Sequence, residues 1–119
     1  MKTILYFLIL TFSMCNIYNK LYFDIGSNPI KSIVITDNST GLDTKIVDER
    51  WIEILFNDHI NTVNSEPRKF VAKYKIAFSY KNQNYVLLIN SDYVKLDGIS
   101  YRANSNIEHF IRGKMEGNK

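Results

Sequence analysis

Two histidines, His59 and His109, one cysteine, Cys15, and a scatter of carboxylates are the residues from which catalysis or metal binding has to be built. His59 follows Asp58 and His109 follows Glu108. Neighbours on a helix point about 100° apart, so neither pair chelates a metal. A zinc helix places its ligands at i and i+4, or gathers Cys and His. Glu53 and Asn57 are four apart, but a carboxylate and an amide alone hold a metal poorly. The serines fall in turn-rich settings and no G-x-S-x-G occurs, so an activated nucleophile is missing. Asp48, Glu49, Glu53, Asp58, Asp92, Asp97 and Glu108 remain as candidates for a glycosidase pair, which needs two carboxyl groups about 5–9 Å apart. Gly26, Gly41, Gly98, Gly113 and Gly117 are too dispersed for a phosphate loop. The expectation is no catalytic residue, no metal ligand set and no cofactor.

Binding chemistry is better represented. Arg68, Lys69, Lys73, Lys75 and Lys81 form the densest basic run, interleaved with strand-type hydrophobics. Such a run gives either a basic sheet face that meets an anionic surface or the solvated side of an amphipathic strand, with Lys guarding an edge. The net charge of +3 is too small an excess for a nucleic-acid module. The aromatic series Tyr74, Ile76, Phe78, Tyr80 lacks the pattern of an RNA-stacking sheet. Tyrosine supplies contact area with few rotors, and Tyr80, Tyr85, Tyr93 and Tyr101 sit near strand ends and hairpins. Together with Lys73 and Lys75 they are the candidate binding residues, although strand propensity explains tyrosine as well.

The elements that position these residues follow from periodicity. The chain is 119 residues long with 45% apolar residues, enough for one packed domain. Its lone Cys excludes an internal disulfide. Lys31–Thr36 reads as a strand, Asp37-Asn38-Ser39-Thr40-Gly41 as a turn, and Leu42–Val47 as the returning strand. Asn38-Ser39-Thr40 also matches a glycosylation sequon, though the same residues are simple turn formers. Asp48 is a natural N-cap. Trp51, Ile52, Leu55, Phe56, His59, Ile60 and Val63 then recur at helical spacing, predicting a helix over 49–63. Residues 69–80 alternate with period two, Phe70, Ala72, Tyr74, Ile76, Phe78 and Tyr80 on one side. Lys81–Asn84 reads as a hairpin loop, and Tyr85–Asn90 as a strand apolar on both sides, hence central. Tyr93–Leu96 and Ile99–Arg102 flank Asp97-Gly98, a strong hairpin signal. A short helix closes the domain, with Ile107, Phe110 and Ile111 on its buried side and Gly113 as its stop. The expected class is α+β: an antiparallel sheet of about five to six strands, the 49–63 helix packed on one face, and a short C-terminal helix. The domain is expected over 31–112, with a tether at 16–30, in which Leu21, Tyr22, Phe23 and Ile25 could add a short strand, and a frayed tail at 113–119.

The first fifteen residues read as an address. Lys2 precedes an uncharged apolar stretch from Ile4 to Cys15, the length of a signal-peptide core and short of the ~20 residues that span a bilayer. Phe12-Ser13-Met14-Cys15 resembles the lipobox of bacterial lipoproteins, where cleavage falls before a Cys that then carries the lipid. On that resemblance Cys15 is the lipidation site and several acyl chains anchor the protein. Ordinary signal cleavage after Cys15 is the other route, with Ser13 and Cys15 as the small residues read by the peptidase. Both routes predict export, and the first a lipid anchor in the cell envelope.

In overall style the chain is similar to the small lipoproteins of bacterial envelopes. The expected function is a non-catalytic binding or accessory protein of the envelope, meeting another envelope protein or a surface component through a sheet face or hairpin loops, and no nucleic acid. The alternatives are an immunity or inhibitor protein against an envelope-acting toxin or hydrolase, and a carboxylate-dependent hydrolase.

Overall fold

The computed structural model describes residues 21–117. The leader at 1–15 with Cys15, residues 16–20 of the expected tether, and the last two residues of the tail lie outside the described residues. Seven strands form one sheet: β1 (Ile33–Asp37), β2 (Leu42–Ile46), β3 (Asn64–Ser65), β4 (Tyr74–Tyr80), β5 (Gln83–Asn90), β6 (Tyr93–Leu96) and β7 (Ile99–Arg102). Their order is β2-β1-β4-β5-β6-β7-β3, and every neighbouring pair is antiparallel. The class is the α+β arrangement that the periodicities predict. The count exceeds five to six because β3, two residues long, is too short to alternate. The strand apolar on both sides, β5, sits in the middle.

Turn chemistry fixes the hairpin registers. Lys81 and Asn82 both take positive φ, 50° and 64°, as a two-residue turn with the twist of the flanking strands requires. The β4–β5 loop is therefore tighter than the four residues expected, and Gln83 and Asn84 join β5. Asp97 (φ 51°) and Gly98 (φ 82°) make the equivalent turn between β6 and β7.

The predicted 49–63 helix forms in three pieces. Asp48 caps α1 (Glu49–Ile54) by accepting from the Trp51 backbone N–H. A wider π turn follows at Leu55–His59, then a 3-10 turn at Ile60–Thr62. Ile52, Leu55, Phe56, Ile60 and Val63 are all buried, so the apolar stripe does what its spacing predicts. The last helix, α2 (Ile107–Gly117), runs through Gly113 and corrects the expectation of a frayed tail from that residue. Met115 explains the extension, since it packs against the core cluster. No helix among the described residues is long and apolar enough to cross a membrane.

Residues 21–30 are a further correction. Expected as a tether, they carry Leu21, Phe23, Ile25 and Ile30 into the core. Phe23 stands edge-on to four rings, Phe56, Phe78, Tyr80 and Tyr85, at centroid distances of 5.6, 5.2, 5.1 and 5.3 Å. The Phe23 backbone is held on both sides by Asn61, whose Oδ1 accepts from its N–H at 2.7 Å and whose Nδ2 donates to its C=O at 2.8 Å. Leu21, Phe23 and Ile25 do alternate with period two, and all three are buried, but no strand forms and the polar, Pro-containing composition around them outweighs so short a run.

Phe70 is the third difference. Period two places it beside Tyr74 against the helix, but the chain is not yet a strand at residues 66–73. This segment is a strap. It leaves β3 at the sheet edge and crosses the face away from the helices, where Phe70 lies 6.2 Å from the Tyr93 ring. The strap is fastened by Arg68 N–H to Ser100 Oγ (2.8 Å), by Asn90 Nδ2 to the Val71 carbonyl, and by Lys73 N–H to the Ile89 carbonyl (2.7 Å).

Candidate binding face

The sheet has one covered and one partly bare side. Ile33, Ile35, Tyr74, Ile76, Phe78, Leu87 and Ile89 face the helices and are buried. On the other side the registers align Lys45, Val34, Ala77 and Val86 in one row and Asp43, Thr36, Lys75 and Leu88 in the next. The strap stops short of these rows. Val86 is 44% exposed, unusual for a valine in a central strand. A shallow cleft of about 450 Å³ runs here, lined among others by Lys31, Val34, Ala77, Asn84 and Val86. Its centre is apolar, its edges hydroxyl and amide, and Lys31, Lys45 and Lys75 are exposed around it.

Charge is sorted between the two sides of the domain. Between residues 21 and 117 Lys and Arg equal Asp and Glu in number, so this part of the chain is formally neutral. The capped helix and its π turn expose Asp48, Glu49, Glu53 and Asp58 against Arg50 and against Lys114, which pairs with Asp48 at 3.2 Å. The bare rows expose lysines against Asp43, whose carboxylate already accepts from the Thr36 hydroxyl at 2.6 Å. A neutral domain thus presents a basic sheet face and an acidic helix face, a distribution that orients it toward a negatively charged partner.

The expected binding residues are dispersed by the fold. Lys75 is on the bare face. Lys73 lies instead at the mouth of a separate cavity of about 400 Å³ between the β1–β2 turn and α2, with Asp37, Tyr74, Arg112 and Met115. The basic run itself divides: Arg68 and Lys69 belong to the strap, and Lys81 caps a hairpin with its Nζ 5.5 Å from the Tyr80 ring centre. The four tyrosines are spread over the fold. Tyr80 is buried, and its hydroxyl accepts from the Asp24 N–H at 2.8 Å. Tyr85 is half-buried and stacked on Phe78 at 5.6 Å. Tyr101 is buried, which pushes its phenol up. Tyr93 lies under the strap and donates to Glu66 at 2.7 Å; the bond to that carboxylate raises its pKa, so the phenol keeps its proton. Val34, Val86 and Leu88, which fall within predicted strands, supply the apolar centre of the face. Alternation along β5 puts Val86 and Leu88 on one face, but only strand pairing brings Val34 and Ala77 beside them.

Catalytic geometry is sparse. His59 Nδ1 lies 2.6 Å from Ser105 Oγ, and the imidazole packs 4.3 Å from Phe110, which stacks on Trp51 at 4.9 Å. Burial lowers the His59 pKa, outweighing the pull of Asp58. Of the carboxylates, Glu66 and Asp92 approach a common point, but Arg102 stands between them at 3.8 and 2.8 Å, where a glycosidase leaves room for sugar. Among the described residues no group of three or more His, Cys, Asp or Glu gathers to hold a metal. No known protein family matches the chain, and neither the curated proteins nor the solved structures provide a match.

Proposed function

We propose that this chain is a small, exported, lipid-tethered binding protein of the cell envelope, and that its bare sheet face docks an acidic partner protein. The observation that carries the reading is the sorting of charge: lysines ring an apolar centre at Val34, Ala77, Val86 and Leu88 while the acidic residues of the helix gather on the opposite side. An acidic surface with an apolar centre complements that face, and like-charge repulsion from the helix side disfavours the reverse orientation. Export and anchoring rest on the leader and Cys15. Immunity toward a basic toxin is the poorer fit, because a basic blocking face repels such a target. Hydrolysis is poorer still, with Arg102 seated between Glu66 and Asp92.

The test is site-specific photocrosslinking in intact cells. A photoreactive residue at position 86 should capture one defined partner, and the same residue at Glu53 on the helix face should not. Capture must fall when Lys45 and Lys75 are both changed to Glu. Equal capture from both faces, or capture indifferent to the charge reversal, overturns the docking face. Mass spectrometry of the purified protein tests the leader separately, and an intact Met1 excludes both processing routes.

A further inference from the structure

The strap creates a second cationic feature beside the bare face. A groove of about 650 Å³ opens where it leaves β3, lined by Ser65, Pro67, Arg68, Lys69, Lys95, Gly98, Ile99 and Ser100. Three of these residues are cations and none is a carboxylate. On the other side of the strap, Arg68 and Lys69 also line a neighbouring cavity of about 540 Å³. Among the described residues, Arg68, Lys69 and Lys95 enter no ion pair; Glu66 is committed to Tyr93 and Arg102 and Asp92 to Arg102, while Asp97, beside Gly98 in the β6–β7 turn, does not line the groove.

Two of the three cations are nonetheless held in place. The Arg68 guanidinium donates to the Tyr93 hydroxyl at 3.2 Å and lies 4.7 Å from the centre of that ring. Its backbone N–H is fixed to Ser100. The Lys95 ammonium lies 5.0 Å from the centre of the Phe70 ring. Aromatic faces orient cations without neutralising them, so the positive charge stays available to a ligand while the side chains lose less freedom on binding. A guanidinium beside two ammonium groups suits a group with several anionic oxygens better than a single carboxylate.

The geometry points to an oxyanion site for a phosphate-bearing ligand, formed by Arg68, Lys69 and Lys95. This goes beyond the docking face, which lies over β1, β4 and β5 and uses none of the three. A free phosphate compound and a phospholipid headgroup carry the same chemistry, so the experiment needs two arms. In the first, the full chain is titrated with inorganic pyrophosphate at low salt, by calorimetry or amide chemical shifts. Binding should weaken steadily with added salt, and the Lys69→Ala/Lys95→Ala double variant should weaken it at least about tenfold. In the second arm the same proteins are sedimented with vesicles of phosphatidylglycerol or phosphatidylcholine.

A preference for phosphatidylglycerol that the double variant loses assigns the site to a lipid headgroup; pyrophosphate binding without that preference assigns it to a soluble phosphate. Arg68→Lys, which keeps the charge but not the fork of donors, should weaken binding less than the double variant does. Unfolding curves that superimpose exclude loss of fold as the cause. Val86→Asp should leave pyrophosphate binding unchanged, which separates failure of this site from failure of the docking face. Unaltered binding by the double variant, or no phosphate binding in either arm, overturns the proposal.

Discussion

Replacing Phe23 by Ala tests whether the segment before β1 is structural. The Phe23 side chain is 3% exposed and touches four rings edge-on, with Asn61 fixing its backbone from both sides. Removing a buried phenyl ring costs its transfer free energy plus the cavity left behind, about 3–5 kcal/mol in comparable cores. The value should fall in the upper half of that range, because Phe56, Phe78, Tyr80 and Tyr85 are anchored on different elements and cannot close over the gap together. With a urea dependence of about 2 kcal/mol per molar, the midpoint should move down by about 2 M. Trp51 is the sole tryptophan and stacks on Phe110, so its fluorescence reports the transition without a label. A loss below about 1 kcal/mol would restore the reading of 21–30 as tether and refute the packing described here.

Other perturbations give equally direct outcomes. Leu55→Ala at a fully buried site of the π turn should cost about 2–5 kcal/mol in the same assay, and a value near zero would place the helix outside the core. Asn82→Ala should destabilise by about 1–2 kcal/mol, because φ of 64° crowds a Cβ whose local hydrogen bonding is gone, while Asn82→Gly should be neutral or better. His59 is held neutral by burial, so its folded pKa lies below the ordinary 6.5. Its contribution is therefore complete above that value and is lost as pH falls from there through the folded pKa, since the unfolded chain then binds more protons. Urea midpoints measured across this range should show a fall that His59→Gln removes. Val86→Asp should alter stability by no more than about 0.5 kcal/mol while abolishing partner capture by a photoreactive residue placed at Lys31 instead, and loss of fold would show that Val86 is core.

Local patterns of residues were enough to set the individual elements. Asp48 before a 3.6-residue apolar rhythm is enough to set the helix start, Asp97-Gly98 enough to set a hairpin, and alternation enough to give β4 and β5 their inner faces, because these signals act over a few neighbouring residues. Tertiary structure alone decided which lone apolar residues belong to the core. Phe23 alternates with Leu21 and Ile25 over a run too short to mark a core strand, and its place comes from four rings delivered by the helix and two strands. Phe70 alternates in step with Tyr74 yet lies on the opposite face, since the chain turns before pairing begins. The binding face was illegible for the same reason. Lys45, Lys75, Val34 and Val86 meet only through register, and register depends on pairing between segments far apart in sequence, which no local pattern encodes. A stretch of chain with equal numbers of positive and negative residues can therefore fold into a body with a basic side and an acidic side.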